Sequence, residues 1–317
     1  LAMSPRLSND VTNLMLMCDR HHRVIDGPET KSQFTVERLK AMKKAHEDWV
    51  RMALSSGPDR SSHILRFSAS IDQNETSIPF DQCVEAILPV RYPANREGIE
   101  IKIRGMRFKD SDPDYWTVQP RMLREDFARR VQGAFETGQI RHISVFALAP
   151  IPLLIDLGRM LPDHLDIEIF QAHREPVQQW KWANDSNDVS FEVLRPDIKI
   201  SNKVALKFSI SAVIDDSRIT EAIGENVSIW EIRSSDPRLD RIRSKADLSR
   251  FRSTARDVFN EIRERHGRSI DLSVFPAIPV SCAVEIGRVW QPKAHPDLRV
   301  FDEIKNVGFV ERLVIRG

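Results

Sequence analysis

Two short stretches hold most of the side chains that could do chemistry. In "NDVTNLMLMCDRHHRVIDG" (9–27), His22 and Asp26 stand four residues apart, so on a helix an imidazole and a carboxylate share one face. Cys18 and His21 have the Cys-x-x-His spacing of half a structural zinc site. The plainer alternatives are a small core cysteine and a surface histidine. In "FQAHREPVQQWKWAND" (170–185), Gln171, His173 and Arg174 follow an apolar run, and Arg174 could grip a phosphate with its fork of donors. Trp180 and Trp182 are two apart and share a face of an extended segment, where stacking on bases is worth ~1–3 kcal/mol per base. The bland alternative is a core tryptophan beside a solvated arginine.

The elements that must position these groups come in three segments. Residues 1–55 end in "TVERLKAMKKAHEDWVRMAL". There Val36, Leu39, Met42, His46, Trp49 and Met52 recur at three- and four-residue spacing, as an amphipathic helix requires. Packing suits His46 better than ligation. Lys40, Lys43 and Lys44 on this helix make a local basic patch that could touch DNA phosphates, although a solvated face is the commoner meaning of such a run. "SSGPDRSS" (55–62) is a Gly/Pro/Ser/Asp cluster, and residues 56–63 read as a linker.

From residue 64 the chain says nearly everything twice. "ISVFALAPIPLLIDLGRML" (143–161) and "LSVFPAIPVSCAVEIGRVW" (272–290) share six of nineteen residues. Each follows a charged amphipathic helix and precedes a short strand with a common Phe, "LDIEIFQ" (165–171) or "PDLRVFDE" (296–303). Upstream, "FSAS" (67–70) aligns with "FSIS" (208–211). The spacing predicts an internal duplication, 64–183 and 203–317, joined by a connector over 184–202. Each copy predicts a buried parallel strand, a turn at proline and a helix, the unit of doubly wound α/β folds. Gly158 and Gly287 fall inside those helices, where close packing against the sheet is their expected use.

In such folds ligands collect beyond the carboxyl ends of the strands, where helix N-termini present free N–H groups. Pro150-Ile151-Pro152 and Pro279-Val280-Ser281 should lie there, together with Ser68, Ser70, Ser209 and Ser211. These hydroxyls could cradle a phosphate or simply cap the chain. In the second copy "WQPKAHPD" (290–297) supplies Lys293 and His295 as the polar candidates. No GxGxxG or GxxxxGK[ST] is present, which argues against an ordinary dinucleotide or P-loop site.

Composition sets the class. Lys+Arg of 47 against Asp+Glu of 46 leaves no global positive field, so nucleic acid could be held only by a local patch. Three cysteines suit a reducing cytosol better than a disulfide scaffold, and no apolar run approaches 18 residues. A soluble, cytoplasmic protein is expected. Leu at position 1 suggests that a longer gene product begins upstream.

The repeated segments with "QAHREP…WKW" and "QPKAHPDLRVFDE" closely resemble the SAVED domain over residues 64–317. The resemblance implies two fused CARF-like Rossmann units that sense a cyclic di- or trinucleotide made by a cognate nucleotidyltransferase in CBASS antiphage defence. Asn13, His22 and Asp26 resemble the second half of an HNH (ββα-metal) nuclease motif. There the Asn lies on a strand and orients the catalytic base, and the His binds Mg²⁺ or Mn²⁺. Asp26 stands where colicin-type members place a second His, and the base histidine would lie upstream of Asn13. Together these imply a homodimer that ligand drives to a higher oligomer such as a tetramer, activating cleavage of double-stranded DNA. A sensor whose N-terminal segment only dimerises is the alternative.

Overall fold

A computed structural model of the chain describes residues 10–56, 60–71, 74, 76–103, 108–174, 179–183, 189–197, 201 and 203–317, with backbone only at 49 and 52–56. The chain divides into two compact units, 1–60 and 61–317. In the first, a single 3₁₀ turn (Val11–Asn13) precedes helix α1 (Asp19–Asp26), a second 3₁₀ turn and helix α2 (Val36–Ser56). Asn13 therefore ends a helical turn and not a strand, because the Asp10 carboxylate accepts from the Thr12 N–H and curls the backbone there. The amphipathic helix forms as its spacing predicts, yet Val36 and Met42 remain exposed. Ile25 is the one buried side chain among the described residues of this unit.

The second unit holds the duplication. Its first half contains β1 (Ser61–Ala69), α3 (Phe80–Ile87), β2 (Tyr92–Pro93), β3 (Ile99–Ile103), α4 (Pro113–Phe127), β4 (His142–Leu148), α5 (Ile151–Met160) and β5 (Asp166–Ile169). The second half contains β6 (Phe191–Leu194), β7 (Lys203–Ser209), α6 (Asp216–Ile223), β8 (Ser228–Ser234), α7 (Lys245–His266), β9 (Asp271–Ala277), α8 (Val280–Val289), β10 (Leu298–Ile304) and β11 (Gly308–Ile315). Four parallel strands run β3-β1-β4-β5 in one sheet and β8-β7-β9-β10 in the other, the same order in both. Even the register repeats: Phe67 pairs with Ala147, and Phe208 with Pro276. The stretch expected to be a mere connector donates β6, which pairs antiparallel with β8 as an edge strand.

Both copies stack the same two phenylalanines, Phe146 on Phe170 at 4.4 Å and Phe275 on Phe301 at 4.6 Å. That stacking aligns the ends of β5 and β10 residue for residue, so Gln171 corresponds to Asp302. The halves meet where α5 crosses α8. A Cβ on Gly158 would lie 2.0 Å from the Val284 carbonyl oxygen, and one on Gly287 1.9 Å from that of Ile155. The two glycines thus serve helix-to-helix contact between the halves, not packing on a sheet. Two residues before each glycine, a buried acid takes one arginine from its own helix and one from the long helix before it. Asp156 binds Arg159 and Arg124, and Glu285 binds Arg288 and Arg252. The shared acid-x-Gly-Arg pattern is the signature of this joint.

Candidate functional site

In each half the chain leaves the first strand (β1 or β7) toward one neighbour and later returns on its other side, to β4 or β9. Right-handed crossovers then put the helices on opposite faces, and a crevice opens beyond the carboxyl ends at that switch point. The two crevices join in one cavity of about 340 Å³. Its walls include Pro150 and Ile151 at the start of α5 and Pro279 and Val280 at the start of α8, so both helix N-termini border it as their turns predict. Arg174, Gln171 and Ser211 also line it, as do four carboxylates: Asp110, Asp240, Asp302 and Glu303. Burial, reinforced by the neighbouring Asp110 carboxylate, pushes Asp302 up to about 6 against the pull of its bond from the Glu303 N–H.

A family model for the "SMODS-associated and fused to various effectors sensor domain", SAVED, matches residues 123–315, more than half of the chain. The chain belongs to the SAVED family. The fold resembles an Acinetobacter baumannii Cap4 SAVED/CARF-domain containing receptor with the cyclic trinucleotide 2'3'3'-cAAA, at 13% identity and TM-score 0.51 over 86% of this chain and 56% of that one. A second structure of the A. baumannii Cap4 receptor matches at 12% identity and TM-score 0.51, over 98% of this chain and 64% of that one. The chain therefore spans less than two thirds of the length of either, and at such identity the likeness concerns the fold. No curated protein matches the chain.

The SAVED unit brings together only some of the residues expected at its site. Gln171 reaches the cavity wall, but its Oε1 accepts from the Ser281 backbone N–H (3.1 Å) and hydroxyl (2.6 Å), so the first half caps helix α8 of the second. Gln171 and Ser281 hold the halves in place; they are spent on each other. His173 is buried behind the wall, its Nδ1 3.1 Å from Asp240 Oδ1 and its ring edge-on to Trp182. Ser211 lines the cavity, whereas Ser68, Ser70 and Ser209 are buried at the strand ends. Among the described residues Ser209 Oγ has no hydrogen-bond partner.

Two expectations fail on geometry. Trp180 and Trp182 are core: Trp180 is 2% exposed and stands edge-on to Phe146, so neither ring offers a face to a base. Lys293 and His295 lie between the end of α8 and the start of β10, at the amino ends of the strands, opposite the cavity. His295 is structural. Its Nδ1 accepts from the Gln291 N–H, its ring stacks on Phe259, and burial beside Arg263 lowers it to about 4. The acids were missed because segments far apart in the chain supply them, Asp110 and Asp240 from turns and Asp302 and Glu303 from β10. Asp302 and Glu303 did have a signal, the Phe shared by "IEIFQ" and "LRVFDE", which placed them opposite Gln171 and Ala172.

In the N-terminal unit, His22 Nε2 lies 3.4 Å from Asp26 Oδ2, both on the exposed face of α1. Cys18 Sγ lies 3.0 Å from His21 Nδ1, and backbone and imidazole hydrogen bonds from His21 lower the exposed Cys18 thiol. Each pair supplies two donors suited to a metal. Among the described residues no group of three or more His, Cys, Asp or Glu converges, so neither pair completes a site for Mg²⁺, Mn²⁺ or Zn²⁺. Lys43 is not a free basic group: its Nζ donates to the Val11 and Thr12 carbonyls at 2.7 and 2.9 Å, bracing the turn that carries Asn13. Lys44 pairs with Asp48, and Lys40 is exposed. Among the described residues no helix is long and apolar enough to cross a membrane.

Proposed function

We propose that this protein is a receptor for a cyclic oligonucleotide, which binds in the cavity between the two halves. The observation that carries this is the convergence of two switch-point crevices, two helix N-termini and Arg174 on one 340 Å³ space in a sensor-family fold. Cyclic trinucleotides are what the similar Cap4 receptor holds. Arg174 is exposed and is the single cation among the described lining residues, so it is the group to take a phosphate. Charge-assisted bonds of this kind are worth ~1.5–3 kcal/mol. Arg174→Ala should therefore weaken binding about 10- to 100-fold in calorimetry with a panel of cyclic di- and trinucleotides, without change in Tm. Unchanged affinity would place the ligand elsewhere. Trp180→Ala is no substitute for this test, since it would cost core stability of ~3–5 kcal/mol.

Ligand binding would drive assembly of copies and activate the N-terminal unit as a metal-dependent HNH endonuclease on double-stranded DNA. This rests on the spacing of Asn13, His22 and Asp26, with the His22–Asp26 pair presented outward on α1. The role would be clearest in His22→Ala of the full-length protein, incubated with plasmid, Mg²⁺ and the bound messenger. Messenger binding should persist and nicking should cease; nicking that survives removes His22 from the chemistry. The non-catalytic reading is favoured by a different observation. Val11, Leu16 and Val36 are 77%, 100% and 61% exposed, apolar side chains that a second copy could cover. No cleavage with any messenger that binds would decide for it.

A further inference from the structure

The geometry points to Asp302 as a base-reading residue, accepting hydrogen bonds from the amino group of a nucleobase in the cavity between the halves. This rests on the cyclic oligonucleotide reading above and adds which wall meets which part of the ligand.

The argument is a broken symmetry. Gln171 at the end of β5 and Asp302 at the end of β10 are equivalent, aligned by the stacked phenylalanines just before them. Gln171 spends its oxygen on α8, accepting from the Ser281 N–H and hydroxyl. The residue of α5 equivalent to Ser281 is Pro152, by the alignment of "APIP" with "IPVS". Proline has neither an N–H nor a hydroxyl. The first half therefore has nothing to offer Asp302 where the second half satisfies Gln171, and the single hydrogen bond to Asp302 among the described residues comes from its own neighbour, the Glu303 N–H. Of the other carboxylates of this wall, Glu303 pairs with Arg218 at 2.7 Å and Asp240 meets His173, while Asp110 stands beside Asp302 and both feel the Arg312 guanidinium.

An ionised carboxylate only accepts. A phosphate beside it would meet a like charge, so phosphate belongs on the Arg174 side. What can face Asp302 is a hydrogen-bond donor; a cyclic nucleotide offers base N–H groups and free ribose hydroxyls, and the hypoxanthine comparison below separates the two, because it changes only the base. An amino-bearing base suits it; uracil, with carbonyl oxygens on either side of a single imino N–H, does not.

The test compares each cyclic nucleotide that binds with its analogue in which adenine or guanine is replaced by hypoxanthine, which lacks the exocyclic amine. The wild-type protein should favour the amino-bearing ligand by about tenfold or more, as expected of a site that leaves a polar group unpaired with the wrong ligand. Asp302→Asn, which adds a donor, should bring the two within about threefold of each other. Pro152→Ser should narrow the ratio too, by supplying Asp302 with the partner Gln171 enjoys. Arg174→Ala should weaken both ligands and leave their ratio. A wild-type protein indifferent to hypoxanthine, a tightest ligand carrying only uracil, or an unchanged ratio in Asp302→Asn would overturn the inference while leaving the receptor reading intact. Absence of binding by every cyclic nucleotide would overturn both.

Discussion

Gly158→Ala should lower Tm by about 10 °C, although by helix propensity alone it ought to help. Replacing glycine inside α5 gains ~1 kcal/mol of intrinsic helix stability. Against this, the new methyl carbon would sit 2.0 Å from the Val284 carbonyl oxygen and 3.1 Å from the Gly287 Cα. Both obstacles are backbone of α8, so no flexible side-chain end can swing aside. The helices must move apart, and overpacking of that kind costs ~1–3 kcal/mol and occasionally more. With backbone on both sides of the contact, a net loss of about 3 kcal/mol is expected. For a unit of this size that is a fall of about 6–12 °C in Tm. Gly287→Ala should behave alike, since its Cβ would meet the Ile155 oxygen at 1.9 Å. Both variants should also bind ligand more weakly, because each helix N-terminus lines the cavity. Calorimetric melting decides: a Tm equal to or above wild type in either variant would mean the crossing is looser than described.

Losing the Glu285 carboxylate beside that crossing should be costlier still, and the two buried acids should differ. Glu285→Ala strands Arg288, whose side chain is 2% exposed, and weakens the hold on Arg252. Leaving one member of a buried pair uncompensated costs ~3–5 kcal/mol, and Glu285→Ala belongs at the upper end. Asp156→Ala removes an equally buried carboxylate, but Arg124 and Arg159 are 43% and 24% exposed and can turn partly to water. About 3 kcal/mol is expected there. Glu285→Gln should be the mildest, because burial already pushes the Glu285 carboxyl up and a carboxamide still accepts from Arg288. Denaturant midpoints for the three should fall in that order. A mildest effect for Glu285→Ala would show that the acid is a solvated ornament of the joint.

These two joints were half-visible beforehand. The acid-x-Gly-Arg pattern recurs in plain sight, and it is part of why the duplication could be recognised. Its use could not be, because each glycine's neighbour is the other glycine's helix, more than a hundred residues away. The same limit governed the ligand wall. Trp180 and Trp182 looked like a stacking platform on an extended segment, yet the loop folds back and drives both rings under Phe146 and Phe170. Lys293 and His295 looked like counterparts of His173 and Arg174 because they occupy similar positions in the text. Strand direction separates them: one segment leaves a strand end, the other approaches a strand start.

The sequence by itself determined the duplicated strand–turn–helix units, the prolines that aim two helix N-termini past the strand ends, and the family resemblance. All of these are local patterns of period and turn chemistry, repeated once. Tertiary structure alone decided which polar groups are spent and which are left over. Gln171 is consumed by Ser281, His295 by Gln291, Lys43 by the turn at Val11, and Asp302 is left without its counterpart because Pro152 has no donor. Whether a side chain is available to a ligand depends on partners brought from elsewhere in the chain, and hydrogen-bond satisfaction is counted only after folding.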